Sequence, residues 1–186
     1  MSARTAVIAD LDGTLVDVRG TLHLLTAADG TKDFEAFHVE TNRIAPPTPW
    51  VMNWCEAQIS AGHEVVLLTG RPERFREGTH AWLGRHVRFP YLGPAMRPTG
   101  DFRHDHAIKR EVFTLLGEAG LEIVGAIDDR PQVLALWREL GLDPVVVHRP
   151  DWTAAGEPYS EADLAAWEAQ GALRSVHGYL DDGSLV

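Results

Sequence analysis

Cysteine is nearly absent: Cys55 stands alone in 186 residues, so no intrachain disulfide can form and the chain reads as one made for a reducing compartment. Long apolar runs are missing too. The opening residues, MSARTAVIAD, lead into a short apolar stretch without the pattern of a secretory leader, so a cytoplasmic location with no membrane contact is expected. Basic tracts are also lacking. The formal charge is −10, which argues against a protein that holds nucleic acid through many phosphates. That charge is unevenly spread, however. Seven acidic residues (Asp151, Glu157, Glu161, Asp163, Glu168, Asp181 and Asp182) and one basic residue, Arg174, follow position 150, so this tail carries −6 and the first 150 residues only −4. The body is therefore not prohibitively acidic for an anionic substrate.

What is present is the composition of a globular protein, 45% hydrophobic and 24% charged, at a length that fits one domain with room for a small insertion. Apolar runs at Ala6–Ala9, Glu64–Leu68, Leu121–Ile127 and Pro144–Val147 have the look of buried parallel strands, with Val87–Leu92 a weaker candidate. Helical patterns lie between them. Thr48 and Pro49 mark a start, Val51, Trp54, Cys55 and Ile59 form a stripe, and Gly62 marks the stop. Asp129 and Gln132 are spaced as a capping box around Pro131; Val133, Leu136, Trp137 and Leu140 then share a face before Gly141. Strand and helix alternate, which predicts an α/β fold with a doubly wound, mostly parallel, Rossmann-like sheet.

Two stretches break the alternation. Residues 19–47 form a long excursion after the first strand, with a weak Phe34, Phe37, Val39 pattern, and read either as a small cap or lid or as a surface loop with one helical turn. The expected organisation is a catalytic domain over 1–150, containing that insertion, and an acidic C-terminal extension over 151–186. The extension has a second capping box, Ser160 to Asp163, ahead of Leu164 and Trp167, and is a candidate for packing on the sheet edge or joining a second copy of the chain.

In an open α/β sheet the loops leaving the carboxyl ends of the strands share one crevice, so Asp10, Asp12, Thr69, Asp128 and Asp129 should converge. Crowded carboxylates repel one another and call for a cation. Oxygen donors without a zinc-like histidine or cysteine cluster favour Mg²⁺, with Asp10, Asp12, Asp128 and Asp129 as the candidate metal set. Beside such an ion, Asp10 is placed to attack a phosphoryl group and Asp12 to exchange protons with the leaving group and with water, while Thr69 and Lys109 supply donors. His104 and His106, two apart on a loop with no third ligand, read as solvent-facing. Trp54, Trp137 and Cys55 read as core.

The ordered set Asp10-Leu-Asp12-Gly13-Thr14-Leu15, Thr69-Gly70-Arg71, Lys109 and Asp128-Asp129 resembles the haloacid dehalogenase superfamily of phosphatases. The resemblance implies an Asp10 nucleophile, an acid/base at Asp12, phosphate contacts from Thr69 and Lys109, and Mg²⁺ held by Asp10, the Asp12 carbonyl and Asp128, with Asp129 in support. Within that superfamily, the stretches Arg103–Phe113 and Ala126–Arg138 look like the phosphatase domain of polynucleotide kinases of the bacteriophage T4 type. This implies removal of 3′-phosphates from nucleic-acid ends, a site role for Asp105, and substrate-binding roles for Arg19 and Arg71, to which Thr14 and Arg103 are added as candidates. No G-x-x-x-x-G-K-[ST] loop accompanies it, so a kinase or ligase function would come from a separate partner. The same machinery also suits a small-molecule or nucleotide phosphatase, or a non-enzymatic phosphate sensor or scaffold.

Overall fold

Side chains along the strand β1 (Arg4–Ala9) are apolar on both faces: Val7 and Ala9 enter one core layer, Ala6 and Ile8 the other. The computed structural model describes residues 4–147. In it β1 is the centre of a five-stranded sheet with β2 (Glu64–Pro72), β3 (Leu92–Arg97), β4 (Leu121–Asp128) and β5 (Val145–Val146), in the order β3-β2-β1-β4-β5. Every pairing is parallel. Strand order reverses between β2 and β4 around β1, which puts a crevice at the carboxyl ends where β1 and β4 finish.

Five helices cover the faces: α1 (Phe34–Ile44), α2 (Pro49–Ser60), α3 (Arg76–His86), α4 (Asp105–Glu118) and α5 (Pro131–Glu139). On one side Phe37, Val51, Trp54, Cys55, Trp82 and Leu83 pack over Val7, Val65 and Leu67. On the other, Val112, Phe113, Val133, Leu136 and Trp137 pack over Ile8, Val66 and Leu68. Trp82, which the sequence leaves undecided, is a core residue whose indole N–H donates to the Ala45 carbonyl at 2.7 Å, fastening α3 to the end of α1. Among the described residues no helix is long and apolar enough to cross a membrane.

Four of the five expected strands form where the apolar runs lie. The fifth does not: Val87–Leu92 is mostly a connector whose Val87 and Phe89 are buried in the core, and β3 begins at Leu92. The reason is positional. Gly93, Pro94 and Pro98 disguise the strand, yet β3 is the edge of the sheet, where proline removes no ladder bond that is needed. Two caps also differ from expectation. Thr48 holds the N-cap position of α2 without a side-chain bond. Arg130, not Asp129, is the N-cap of α5, and the carboxylate that turns back is Asp128, which accepts the Arg130 N–H at 3.1 Å.

Residues 19–47 hold more than a loop with one helical turn. A 3-10 turn (Leu22–Leu25) leads to the eleven-residue α1, whose first turn is capped by Asp33 accepting the Ala36 N–H at 2.9 Å. The inward face of α1 is Phe37, His38, Thr41 and Asn42, while Phe34 and Val39 are half exposed. A bond between the hydroxyls of Thr21 and Thr41, 2.8 Å long, ties the helix to the chain that precedes it. The Ser160–Asp163 cap, the Leu164 and Trp167 pattern and assembly through the tail lie outside the described residues.

Candidate active site

Asp10 follows β1 directly, its N–H donating to the Ile127 carbonyl of β4 at 3.2 Å. Gly13, at φ 89°, lets the chain curl back so that Val16 N–H reaches the Leu11 carbonyl at 2.8 Å; a side chain at that φ would be strained. Asp10, Asp128 and Asp129 thereby come together, one carboxylate oxygen of each lying within 4.8 Å of the others, all buried. Between them sits the Lys109 ammonium, delivered by α4 and fully buried. It donates to Asp10 Oδ1 at 2.7 Å and Asp128 Oδ2 at 2.8 Å, and lies 3.4 Å from Asp105 Oδ2 one helical turn earlier. Burial opposes its charge, but Asp10, Asp105 and Asp128 outweigh that and hold Lys109 well above the ordinary lysine range. Asp10 moves upward strongly, because burial and the neighbouring Asp128, Asp129 and Asp105 outweigh the attraction of Lys109. More carboxylate charge is gathered here than one ammonium neutralises, and the donors are hard oxygens. The residues present fit a divalent cation of the Mg²⁺ type.

Asp12 is held differently. Arg71, fully buried at the end of β2, grips it with a fork: Nε to Oδ2 at 2.7 Å and Nη2 to Oδ1 at 2.6 Å. Its remaining nitrogen donates to Asn42 Oδ1 and to Thr79 Oγ1. Burial would raise the Asp12 carboxyl, but Arg71 dominates and keeps it below the usual carboxylate range. Arg71, expected to bind substrate, is thus the holder of Asp12. Gly78 lies against this contact, and a Cβ there would fall 2.7 Å from Asn42 Nδ2 and make the Asn42 side chain shift.

The other expected site residues divide. Thr69 is buried, faces the cavity above the carboxylates, and its hydroxyl accepts the Arg71 N–H at 3.2 Å. Asp105 joins the cluster through Lys109 and also lies 3.4 Å from Arg97. Arg103 stands at the cavity wall, half exposed, paired with Asp101 at 2.6 Å and Glu111 at 2.9 Å. Two are not brought in. Arg19 pairs with Asp17 at 2.5 Å on the exposed surface and Thr14 is fully buried, and neither lines the cavity. Three contributors had no signal in the motifs, His38 and Asn42 on α1 and Arg97 at the end of β3, and Arg130, inside the quoted Ala126–Arg138 stretch, was not singled out. Arg97 also donates to the Gly70 carbonyl at 2.8 Å, and a Cβ on Gly70 would strike Asp105 at 2.5 Å, so that glycine permits the two loops to meet.

The cavity over this cluster measures about 320 Å³. Its charged lining is Lys32, Arg71, Arg74, Arg97, Arg103 and Arg130 against Asp10, Asp12, Asp101 and Asp105, a cationic excess in a strongly acidic chain. His38 forms part of the wall, its ring centroid 5.0 Å from Phe37 and 4.9 Å from Phe75, with Nδ1 3.8 Å from Asp12 Oδ2. Burial pulls this imidazole down to about 4 despite the pull of Asp12 upward, with Arg71, Arg130 and Arg74 adding to the fall. The unfolded chain therefore takes up the His38 proton from about pH 6.5 downward while the folded protein does not until about pH 4. This contribution to stability is complete above pH 6.5 and is lost as pH falls toward 4, up to about 3 kcal/mol. Denaturant melts of the wild type and His38→Gln across pH 7 to 4.5 should diverge accordingly, with the steeper acid loss in the wild type. Parallel curves would show that His38 is not held neutral.

Residues 4–152 match the profile of the polynucleotide kinase PNKP phosphatase domain. A putative bifunctional polynucleotide kinase/RNA ligase of Autographa californica nuclear polyhedrosis virus is 24% identical over 143 residues, 75% of this chain and 19% of the viral protein. In the solved structure of the Pnkp1/Rnl/Hen1 RNA repair complex, a chain with 29% identity aligns at a TM-score of 0.63 over 78% of this chain and 42% of its own length. The class C acid phosphatase from Bacillus anthracis, at 15% identity and a TM-score of 0.56, covers 94% of this chain and 81% of its own and shares the fold. The chain thus spans about a fifth of the viral relative and under half of the repair-complex chain. A buried aspartate at the end of a central parallel strand faces a buried lysine and a second aspartate pair, and the family profile matches along most of the chain: the protein belongs to the PNKP phosphatase-domain family of the haloacid dehalogenase superfamily.

Proposed function

We propose that the protein is a Mg²⁺-dependent phosphomonoesterase that removes 3′-phosphates from nucleic-acid ends through an aspartyl phosphate on Asp10. The observation that carries this reading is the cation-lined cavity directly above the Asp10, Asp128 and Asp129 cluster. Such a lining suits a phosphate dianion and the phosphodiester next to it. The relatives described as polynucleotide kinases and as members of an RNA repair complex support the substrate class, and a separate kinase or ligase is proposed as partner.

Asp10, Asp128 and Asp129 are the side chains that would hold Mg²⁺, together with the Asp12 carbonyl. The ion supplies charge neutralisation for the phosphoryl oxygens and for the carboxylates around them. An Asp10 oxygen attacks phosphorus in line with the departing 3′-oxygen, the P–O bond to the sugar breaks, and Asp12 delivers a proton to that oxygen. Water then attacks the phosphoaspartate, Asp12 takes the proton, and inorganic phosphate leaves. Arg71 keeps Asp12 ionised at rest, the state needed for the second half. Arrival of a substrate dianion opposes that charge and favours the protonated form needed for the first. Lys109 keeps Asp10 oriented by its bond to Oδ1, and Thr69 stands on the cavity side to meet a phosphoryl oxygen. Residues 19–47, whose α1 contributes Phe34 and His38 to the wall, are proposed as a small cap.

A competition experiment tests the substrate. Oligonucleotides phosphorylated at the 3′ or the 5′ end, a nucleoside 3′-monophosphate and a sugar phosphate are supplied to the protein, and kcat/KM is measured for each. The expected preference for 3′ over 5′ ends is at least about tenfold, or 1.4 kcal/mol. Equal rates at the two ends, or preference for the sugar phosphate, would defeat the polynucleotide assignment.

A further inference from the structure

Phe102 is 95% exposed, the most exposed large apolar side chain among the described residues, and it lines the active-site cavity. A lone exposed phenylalanine is unremarkable on a surface. This one is held out by its surroundings. The chain turns at Gly100, φ 86°, where the Asp101 N–H donates to the Pro98 carbonyl at 3.1 Å. On the far side, the Arg103 backbone N–H and guanidinium both bond the Asp101 carboxylate, closing a ring around Phe102. Arg97 then donates to the Arg103 carbonyl and, through its other nitrogens, to Gly70 and Asp105. The backbone on either side of the phenyl ring is therefore anchored to the floor of the site.

A second aromatic ring reaches the same cavity from a different segment. Phe34 opens α1, is 47% exposed, and stacks at 23° on His38 with centroids 6.3 Å apart. Two rings presented to solvent beside Arg74 and Arg103, in a cavity whose base holds the phosphoryl chemistry, match a planar, uncharged group next to a phosphate. A nucleobase has that character, and stacking on aromatic faces is tolerant of sequence because every base has a π-face.

Resting on the substrate class proposed above, we infer that Phe102, with Phe34, forms a stacking subsite for the nucleobase at the phosphorylated 3′ end. The base contributes to binding through its face, not through its hydrogen-bonding edge. Ends that lack a base are therefore poorer substrates, while base identity changes little.

Steady-state kinetics on the full chain tests this with three substrates: a 3′-phosphorylated oligonucleotide, the same strand ending in a 3′-phosphorylated abasic sugar, and acetyl phosphate, which has neither base nor sugar. The wild type should favour the base-bearing end over the abasic end by about tenfold in kcat/KM, mostly through KM, within the range for a single stacked base. In Phe102→Ala that ratio should fall to within about twofold of unity, and Phe102→Trp should restore it. A ratio near unity in the wild type, or one unchanged in Phe102→Ala, overturns the stacking subsite, and a preference for the oligonucleotide over acetyl phosphate that persists in that same assay leaves the substrate class standing. If the wild type treats the oligonucleotide no better than acetyl phosphate, the substrate class fails and the subsite fails with it. Loss of the Phe102→Ala rate on all three substrates in equal proportion counts against the subsite as well.

Discussion

Asp10→Asn should eliminate turnover while leaving a folded protein. Asparagine keeps the shape of the side chain and an oxygen that can accept the Lys109 hydrogen bond, now 2.7 Å long at Oδ1. It loses the nucleophilic carboxylate, and loss of a nucleophile reduces kcat by on the order of 10⁴ or more. The same change removes one carboxylate from a buried crowd in which Asp128, Asp129 and Asp105 push Asp10 upward. Stability in a chelator should therefore be equal to or above that of the wild type, and the stabilising response to added Mg²⁺ should shrink. Release of phosphate from p-nitrophenyl phosphate and thermal unfolding with and without Mg²⁺ measure both. A rate within tenfold of the wild type would remove Asp10 from the nucleophile's role, whatever the unfolding curves show.

Much of this site was legible because the residues that carry it sit at the ends of strands. The apolar runs before Asp10 and Thr69 are buried on both faces and the one before Asp128 over its last residues, so they read plainly, and the topology of a parallel sheet brings their ends together without any side-chain detail. Lys109 was legible for a related reason. A lysine near the start of a helix, where positive charge is unfavourable, calls for a buried anion, and the structure buries it completely between three carboxylates.

The residues that escaped notice belong to elements with no such constraint. Asn42 and His38 reach the site from α1, inside the 19–47 excursion, and nothing in the local pattern says that an asparagine there braces Arg71 or that a histidine faces Asp12. Of the weak Phe34, Phe37, Val39 pattern only Phe37 is buried; Phe34 and Val39 are half exposed, because the inward face of α1 is partly polar. Arg97 was hidden by the misplaced β3, whose glycine and prolines mimic a loop. Arg71 shows the same limit from the other side. Its position was evident but its partner was not, since Arg71 and Asp12 are 59 positions apart in sequence and are brought together only by the pairing of β1 with β2.

Lys109→Met should damage both the fold and the reaction, and Mg²⁺ should separate the two effects. Methionine fills a similar volume but leaves Asp10, Asp105 and Asp128 buried without the ammonium that now lies 2.7, 3.4 and 2.8 Å from them. Removing one partner from a buried ionic cluster typically costs about 3–5 kcal/mol, which in a protein of this size lowers Tm by roughly 10 °C. The loss has a definite pH sense. With its folded pKa raised, Lys109 stabilises the protein fully below the unfolded lysine pKa and ceases to do so only as pH rises through the folded value, so the deficit of the variant should be present throughout the neutral range. A divalent cation placed among Asp10, Asp128 and Asp129 supplies part of the missing positive charge, and Mg²⁺ should recover several degrees in the variant, more than in the wild type. It should not recover the rate, because in the proposed mechanism the ammonium also orients Asp10 through its bond to Oδ1, a loss of about 10²–10³ in kcat. Scanning calorimetry in a chelator and in Mg²⁺, paired with phosphate-release rates, gives both quantities from one preparation. A variant as stable as the wild type in the chelator would show that Lys109 does not neutralise the cluster, and a rate restored by Mg²⁺ alone would show that its charge, and not its position, is what the reaction uses.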